Sequence, residues 1–124
     1  MIIGIGIDII EVDRVGEKIH KGNGFREKVF SSGEIIFCES KTNKMEHYAA
    51  RFAAKEAFLK AAGSGLTVGY TLHEIEVVSD ELGKPSINLQ GTFLTLANGK
   101  SWNKIYLSLS HIQAMACAVV IIEQ

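Results

Sequence analysis

The chain has 124 residues, 47% of them apolar and 22% charged, and its 13 basic and 14 acidic side chains leave a formal charge of −1. The length is that of one domain, since domains cluster near roughly 100–150 residues. The composition excludes a disordered tail, a collagen-like repeat and a general nucleic-acid binder, which needs a net basic surface. Residues 1–124 are therefore read as a single cytoplasmic domain. No basic segment follows Met1, Asp8 interrupts the first apolar run, and the run Met115–Ile122 is far shorter than the roughly 20 residues that span a membrane.

Residues 2–9 (IIGIGIDI) alternate with period two, which predicts a strand. Ile3, Ile5, Ile7 and Ile9 fall on one face, and Gly4, Gly6 and Asp8 on the other. Glycines inside a strand mark the close approach of another backbone or of a ligand. Val12, Val15 and Ile19 have helical spacing over residues 12–20, and Gly22, Asn23 and Gly24 end that helix. Arg14, Lys18 and Lys21 align along one of its faces. Ser31-Ser32-Gly33-Glu34 has the form of a capping box, so a second helix starts near residue 32.

Met45–Ala62, rich in alanine and free of Gly and Pro, is the strongest helix signal, closed by Gly63 and Gly65. Residues 73–78 and 86–90 alternate on either side of ELGKP and predict two strands joined by a turn. Residues 104–111 alternate again. Residues 115–123 form an almost continuous apolar run, read as a core strand in preference to a subunit interface. The class is α+β, with antiparallel sheet packed against the long helix. Cys38 and Cys117 lie in apolar runs without metal-binding spacing and are expected as buried, reduced thiols.

Asp8 ends its apolar run as a carboxylate that must be solvated, paired or bound to a cation, or else must cap the helix that follows. On the long helix Met45, Tyr48, Phe52 and Leu59 form an apolar stripe, with Glu56 and Lys60 on one side and Arg51 and Lys55 on the other. Glu56 precedes Lys60 by four residues, the favourable order for an ion pair. Two readings stand: solvated charges bordering a core stripe, or a rigid site for a divalent cation and phosphate, with hard carboxylate oxygens suited to Mg²⁺. His111 closes the strand in SLSH. The serines beside it lack a nucleophile elbow and an orienting Asp, which argues against a hydrolase. GIGIDI lacks the GxGxxG of a dinucleotide site, and His20, His47 and His73 show no partner pattern and are read as structural.

GIGIDIIEVDRV at residues 4–15, RFAAKEAFLKA at 51–61, ELGKP at 81–85 and SLSH at 108–111 together resemble the holo-acyl-carrier-protein synthase family, the short 4′-phosphopantetheinyl transferases. The likeness covers the chain in order, and RFAAKEAF-x-KA is its specific part. It implies that fold, and transfer of the 4′-phosphopantetheine arm of coenzyme A to a serine of apo-acyl carrier protein for fatty acid synthesis, with release of adenosine 3′,5′-bisphosphate. Asp8 and Glu56 match the family's magnesium ligands, and Glu56 and Lys60 its catalytic pair. Arg51, Lys60, Gly83, Lys84, Pro85, Ser110 and His111 match coenzyme A-binding positions. The resemblance also implies a homotrimer with its site at the subunit interface. Leu59 stands where the family often has a small polar residue. The base for the serine proton is either Glu56 itself or a water on the metal that Glu56 orients. An acidic carrier protein fits the basic face of Arg14, Lys18 and Lys21. The competing reading is a non-catalytic module that binds a nucleotide or an acidic partner through that face. Two carboxylates at a phosphate site argue against it unless a cation joins them.

Overall fold

The computed structural model describes residues 1–63 and 71–124. Its elements run β1 (Ile2–Glu11), α1 (Val12–His20), α2 (Phe25–Val29), α3 (Ser32–Glu39), α4 (Lys44–Ala62), β2 (Ile75–Ser79), β3 (Pro85–Leu89), α5 (Gly91–Gly99), β4 (Lys104–His111) and β5 (Met115–Glu123). One antiparallel sheet has the order β1-β5-β4, and β2-β3 form a separate hairpin. The α+β expectation holds. The short helices α2 and α5 have no counterpart in the sequence reading, and Gly65 lies outside the described residues. No described helix is long and apolar enough to cross a membrane.

The long helix α4 lies on one face of the three-stranded sheet. Gly4 and Gly6 explain how close it comes, because a Cβ at either position would overlap a carbonyl oxygen of α4, that of Ala61 or Ala57 respectively. Small residues on both partners let the helix backbone rest almost directly on β1. Ala116, Ala118, Val120 and Ile122 of β5 complete the buried face beneath the helix.

The isoleucines of β1 point the other way. Ile5, Ile7 and Ile9 are 63%, 65% and 65% exposed. Register places them beside Ile121, Val119 and Cys117 of β5. The expectation of a core role for 115–123 thus holds for alternate residues only. The other half, including the half-buried Cys117, lies on an open apolar face. Cys38 is fully buried, and burial pushes its thiol up to about 12.

Asp8 is not a helix cap. It lies within β1 opposite Ala118, and Glu11 stands at the N-terminus of α1 without a side-chain capping bond. The capping box is present as expected, with Ser31 Oγ accepting from Glu34 N and Glu34 Oε1 accepting from Ser31 N. Glu34 also does something the sequence reading lacked. It is buried and binds Lys55 Nζ at 2.8 and 3.0 Å, while its Oε2 accepts Val77 N at 2.8 Å. Lys55 Nζ donates further to Ile75 O at 2.6 Å and Leu72 O at 3.1 Å. The picture of solvated charges beside a core stripe therefore fails for Arg51 and Lys55, which are 2% and 0% exposed. A buried ion survives only when its hydrogen bonds are filled, and this pair's are. It ties α3, α4 and β2 together, and so fixes the β2-β3 hairpin against the middle of α4.

Candidate functional site

Arg51 and Glu56 are five positions apart, about 140° around the helix at roughly 100° per residue. Helix α4 therefore carries two clusters on different flanks, and the described residues divide the expected site between them.

The first cluster faces β1. Lys60 Nζ donates to Asp8 Oδ1 at 3.1 Å and to Ile7 O at 3.0 Å. Lys60 thus pairs with Asp8 rather than with Glu56, contrary to the i,i+4 expectation. Glu56 stands one helical turn before Lys60. Its carboxyl is held above the ordinary range, first by burial and then by the charge of Asp8, with Lys60 and Lys18 opposing the shift. Glu56 thus senses the charge of Asp8 across the β1–α4 contact. Among the described residues no third His, Cys, Asp or Glu joins them to complete a metal site. Two hard carboxylates with the remaining positions open is the donor set that suits Mg²⁺ shared with substrate phosphates.

Arg14, Lys18 and Lys21 are all exposed along α1. Lys18 Nζ lies 5.6 Å from the Phe25 ring centre and 5.8 Å from that of Phe52, so its charge is laid over an aromatic pair towards Glu56.

The second cluster lines a cavity of about 200 Å³ between α4, the β2-β3 hairpin and the end of β4. Of the expected coenzyme A positions, Arg51, Gly83, Pro85 and His111 line this cavity, whereas Lys60, Lys84 and Ser110 are not among its lining residues. The Arg51 guanidinium lies 4.0 Å over the ring of Phe37, and Nη2 donates to Ser79 Oγ at 3.4 Å. Its Nε is buried without a hydrogen-bond partner. No carboxylate pairs with it among the described residues, and burial pulls its pKa down. A buried guanidinium with an orphaned N–H is a ready anion receptor.

His111 Nδ1 is 2.8 Å from Glu46 Oε1. The ring of His47 packs edge-on against His111 at 5.0 Å and against Phe37 at 5.5 Å. Burial, then the neighbouring His111 and Arg51, hold the His47 imidazole below its ordinary range. Gly83 adopts φ 85°, which favours glycine, and Asp80 Oδ1 shapes the turn by accepting Leu82 N and Lys84 N. Lys84 is exposed on that turn, between Gly83 and Pro85. Ser110 is on the opposite sheet face from His111, beside Ile9 and Cys117.

Phe37, Glu46 and Ser79 were not singled out from sequence, and His47, expected to be merely structural, lines the cavity. Phe37 and Ser79 offer no motif. For His47 a signal existed: it precedes Arg51 by four residues and so shares its flank of α4.

The sequence pattern of the 4′-phosphopantetheinyl transferase superfamily matches residues 4–120. A holo-[acyl-carrier-protein] synthase of Geobacter sulfurreducens is 46% identical over 125 residues, covering 100% of this chain and 99% of that protein. Among solved structures, the holo-[acyl-carrier-protein] synthase of Neisseria meningitidis superposes with a TM-score of 0.90 at 30% identity, covering 100% of both chains. That of Bacillus anthracis, solved in complex with CoA (3′,5′-ADP), superposes with a TM-score of 0.81 at 34% identity, covering 100% of this chain and 98% of that one.

Proposed function

Because the chain belongs to the 4′-phosphopantetheinyl transferase superfamily and transfers the 4′-phosphopantetheine moiety of coenzyme A to apo-acyl carrier protein, we propose that its two clusters divide that reaction between them. The observation that carries the proposal is the charge of Asp8 felt by Glu56 beside Lys60, on a helix whose other flank holds Arg51, buried and, among the described residues, without a carboxylate partner.

The serine oxygen of the carrier attacks the phosphorus that bears the pantetheine arm. The phosphoanhydride bond breaks, and adenosine 3′,5′-bisphosphate leaves with the bonding electrons. Such chemistry asks a protein mainly for positioning and for stabilisation of charge. Asp8 and Glu56 would hold Mg²⁺, which when bound supplies the positive charge that balances the pyrophosphate. Lys60, already donating to Asp8, would neutralise or protonate the leaving oxygen. Glu56 accepts the serine proton or orients its acceptor. Arg51, His111 and the Gly83-Lys84-Pro85 turn receive the nucleotide end of coenzyme A.

The exposed basic residues Arg14, Lys18 and Lys21 dock the acidic carrier, which makes the encounter sensitive to salt. The open face of Ile5, Ile7, Ile9, Val119 and Ile121 is a subunit interface, and the protein is a homotrimer. The enzyme acts in the cytoplasm, serving fatty acid synthesis as one domain over residues 1–124.

The test is incubation with coenzyme A, Mg²⁺ and an apo-acyl carrier protein, followed by mass spectrometry of the carrier. Gain of one phosphopantetheine arm that disappears with a chelator is expected. An unmodified carrier, or transfer indifferent to the chelator, would overturn the assignment of the carboxylate pair.

A further inference from the structure

We infer that Glu46 is a positioning residue of the nucleotide cavity, fixing which nitrogen of His111 is offered to a coenzyme A phosphate. The inference rests on reading that cavity as the nucleotide site.

Glu46 stands in the first turn of α4, within hydrogen-bond distance of the His111 ring. An ionised carboxylate has no hydrogen to give, so in the 2.8 Å contact His111 Nδ1 donates and Glu46 Oε1 accepts. With Nδ1 committed, Nε2 is the ring's remaining polar atom for a ligand in the cavity that His111 lines with Arg51. The adjacent His47 packs edge-on against the imidazole and steadies its plane. The side chains of Glu46 and His111 are 19% and 26% exposed, so the pair is sheltered enough for one bond to set the tautomer. When His111 donates from Nε2 to a phosphate as well, it carries a positive charge that Glu46 balances from behind.

The arrangement has a distinctive sign. A carboxylate this close to a phosphate-binding cavity would weaken binding by simple repulsion. Only its action through the imidazole makes it favourable.

Glu46→Ala should raise KM for coenzyme A about tenfold, the scale of one hydrogen bond to a charged group, and leave kcat at saturating coenzyme A within about twofold. Glu46→Gln, whose amide oxygen still accepts from Nδ1, should lie between parent and Glu46→Ala. In a His111→Gln background, Glu46→Ala should change nothing further. In the parent protein without ligand, the nitrogen chemical shifts of neutral His111 should report hydrogen on Nδ1. A lowered KM in Glu46→Ala, an equal effect in the His111→Gln background, or neutral His111 protonated on Nε2 would each overturn the inference. Failure of the parent protein to modify any carrier strikes the parent reading instead, and leaves the tautomer measurement to judge the Glu46–His111 geometry.

Discussion

Glu56 of α4 meets the charge of Asp8 on β1 before any ligand arrives. Burial and the charge of Asp8 raise the Glu56 pKa above its ordinary value of 4.5. The folded state therefore binds this proton more tightly than the unfolded chain does. The resulting stability is complete below that ordinary value and is lost as pH rises through the raised one. At neutral pH and without a cation, Glu56 thus works against the fold. In chelator, Glu56→Gln is expected to unfold at a higher temperature than the parent. Added Mg²⁺ should raise the parent's midpoint and leave the variant's in place, while transfer falls at least about a hundredfold, as for the loss of one key charge at a reacting centre. Equal thermal responses to Mg²⁺ in both proteins would rule out a cation shared through Glu56.

His47 carries the opposite sign. Its pKa lies below its ordinary value of 6.5, chiefly through burial, with His111 and Arg51 adding to it. Here the unfolded chain binds more protons, so stability falls as pH drops below 6.5 towards the depressed value. A phosphate in the cavity reverses the local field. Coenzyme A binding near pH 6 should then take up protons, fewer in His47→Asn. Calorimetry in two buffers of different ionisation enthalpy measures the count, and a count of zero would mean that no phosphate sits beside these imidazoles.

At the scale of elements, the strand β1 and the helix α4 are bound by what their side chains lack. Gly6→Ala would drive a methyl group into the Ala57 carbonyl oxygen. Neither partner is the far end of a flexible side chain, so strand and helix must separate. The expected loss is about 1–3 kcal/mol or more by urea unfolding, the range for overpacked cores. An unchanged midpoint would show that the helix does not rest on the strand here. Gly4, Gly6 and Asp8 on one face were legible from alternation, and the glycines did mark a backbone contact. Alternation shows that a strand has two faces; the small residues, not the large ones, tell which face meets the helix. β4 and β5 were legible with their limits because long regular patterns leave little choice. The helices α2 and α5, of five and nine residues, were not, since neither carries enough apolar repeats to stand out between glycines. Lys55 illustrates a harder case. On a helical wheel it borders the apolar stripe like any surface lysine. What buries it is Glu34, 21 positions away and already accounted for as a capping residue. The same holds for the second cluster: its Arg51 and His111 came from the separate motifs RFAAKEAFLKA and SLSH, while Phe37, Glu46 and Ser79 enter through tertiary packing that no local pattern encodes.

The whole molecule raises the question of how two clusters on different flanks of one helix serve one substrate. On the proposed division, coenzyme A presents its pyrophosphate to Asp8 and Glu56 and its nucleotide to Arg51 and His111. The proposed assembly would resolve the geometry: a second copy packed through the exposed isoleucine face would set its Arg51–His111 cavity beside its neighbour's carboxylates. Ser110, which lies on that same open face next to Ile9 and Cys117, would then be carried to the boundary between copies. If the proposed homotrimer forms, Glu56→Gln and Arg51→Ala should each be inactive alone, because every site in either assembly would lack one half. Unfolded and refolded together in equal amounts, they should regain about a quarter of the parent activity, the fraction of interfaces in a randomly mixed ring that join two intact halves. Parent-level assembly in the mixture, checked by sedimentation, separates this outcome from poor refolding. An inactive mixture of well-formed trimers would place both halves of the site within one chain and would return the isoleucine face to a purely structural role.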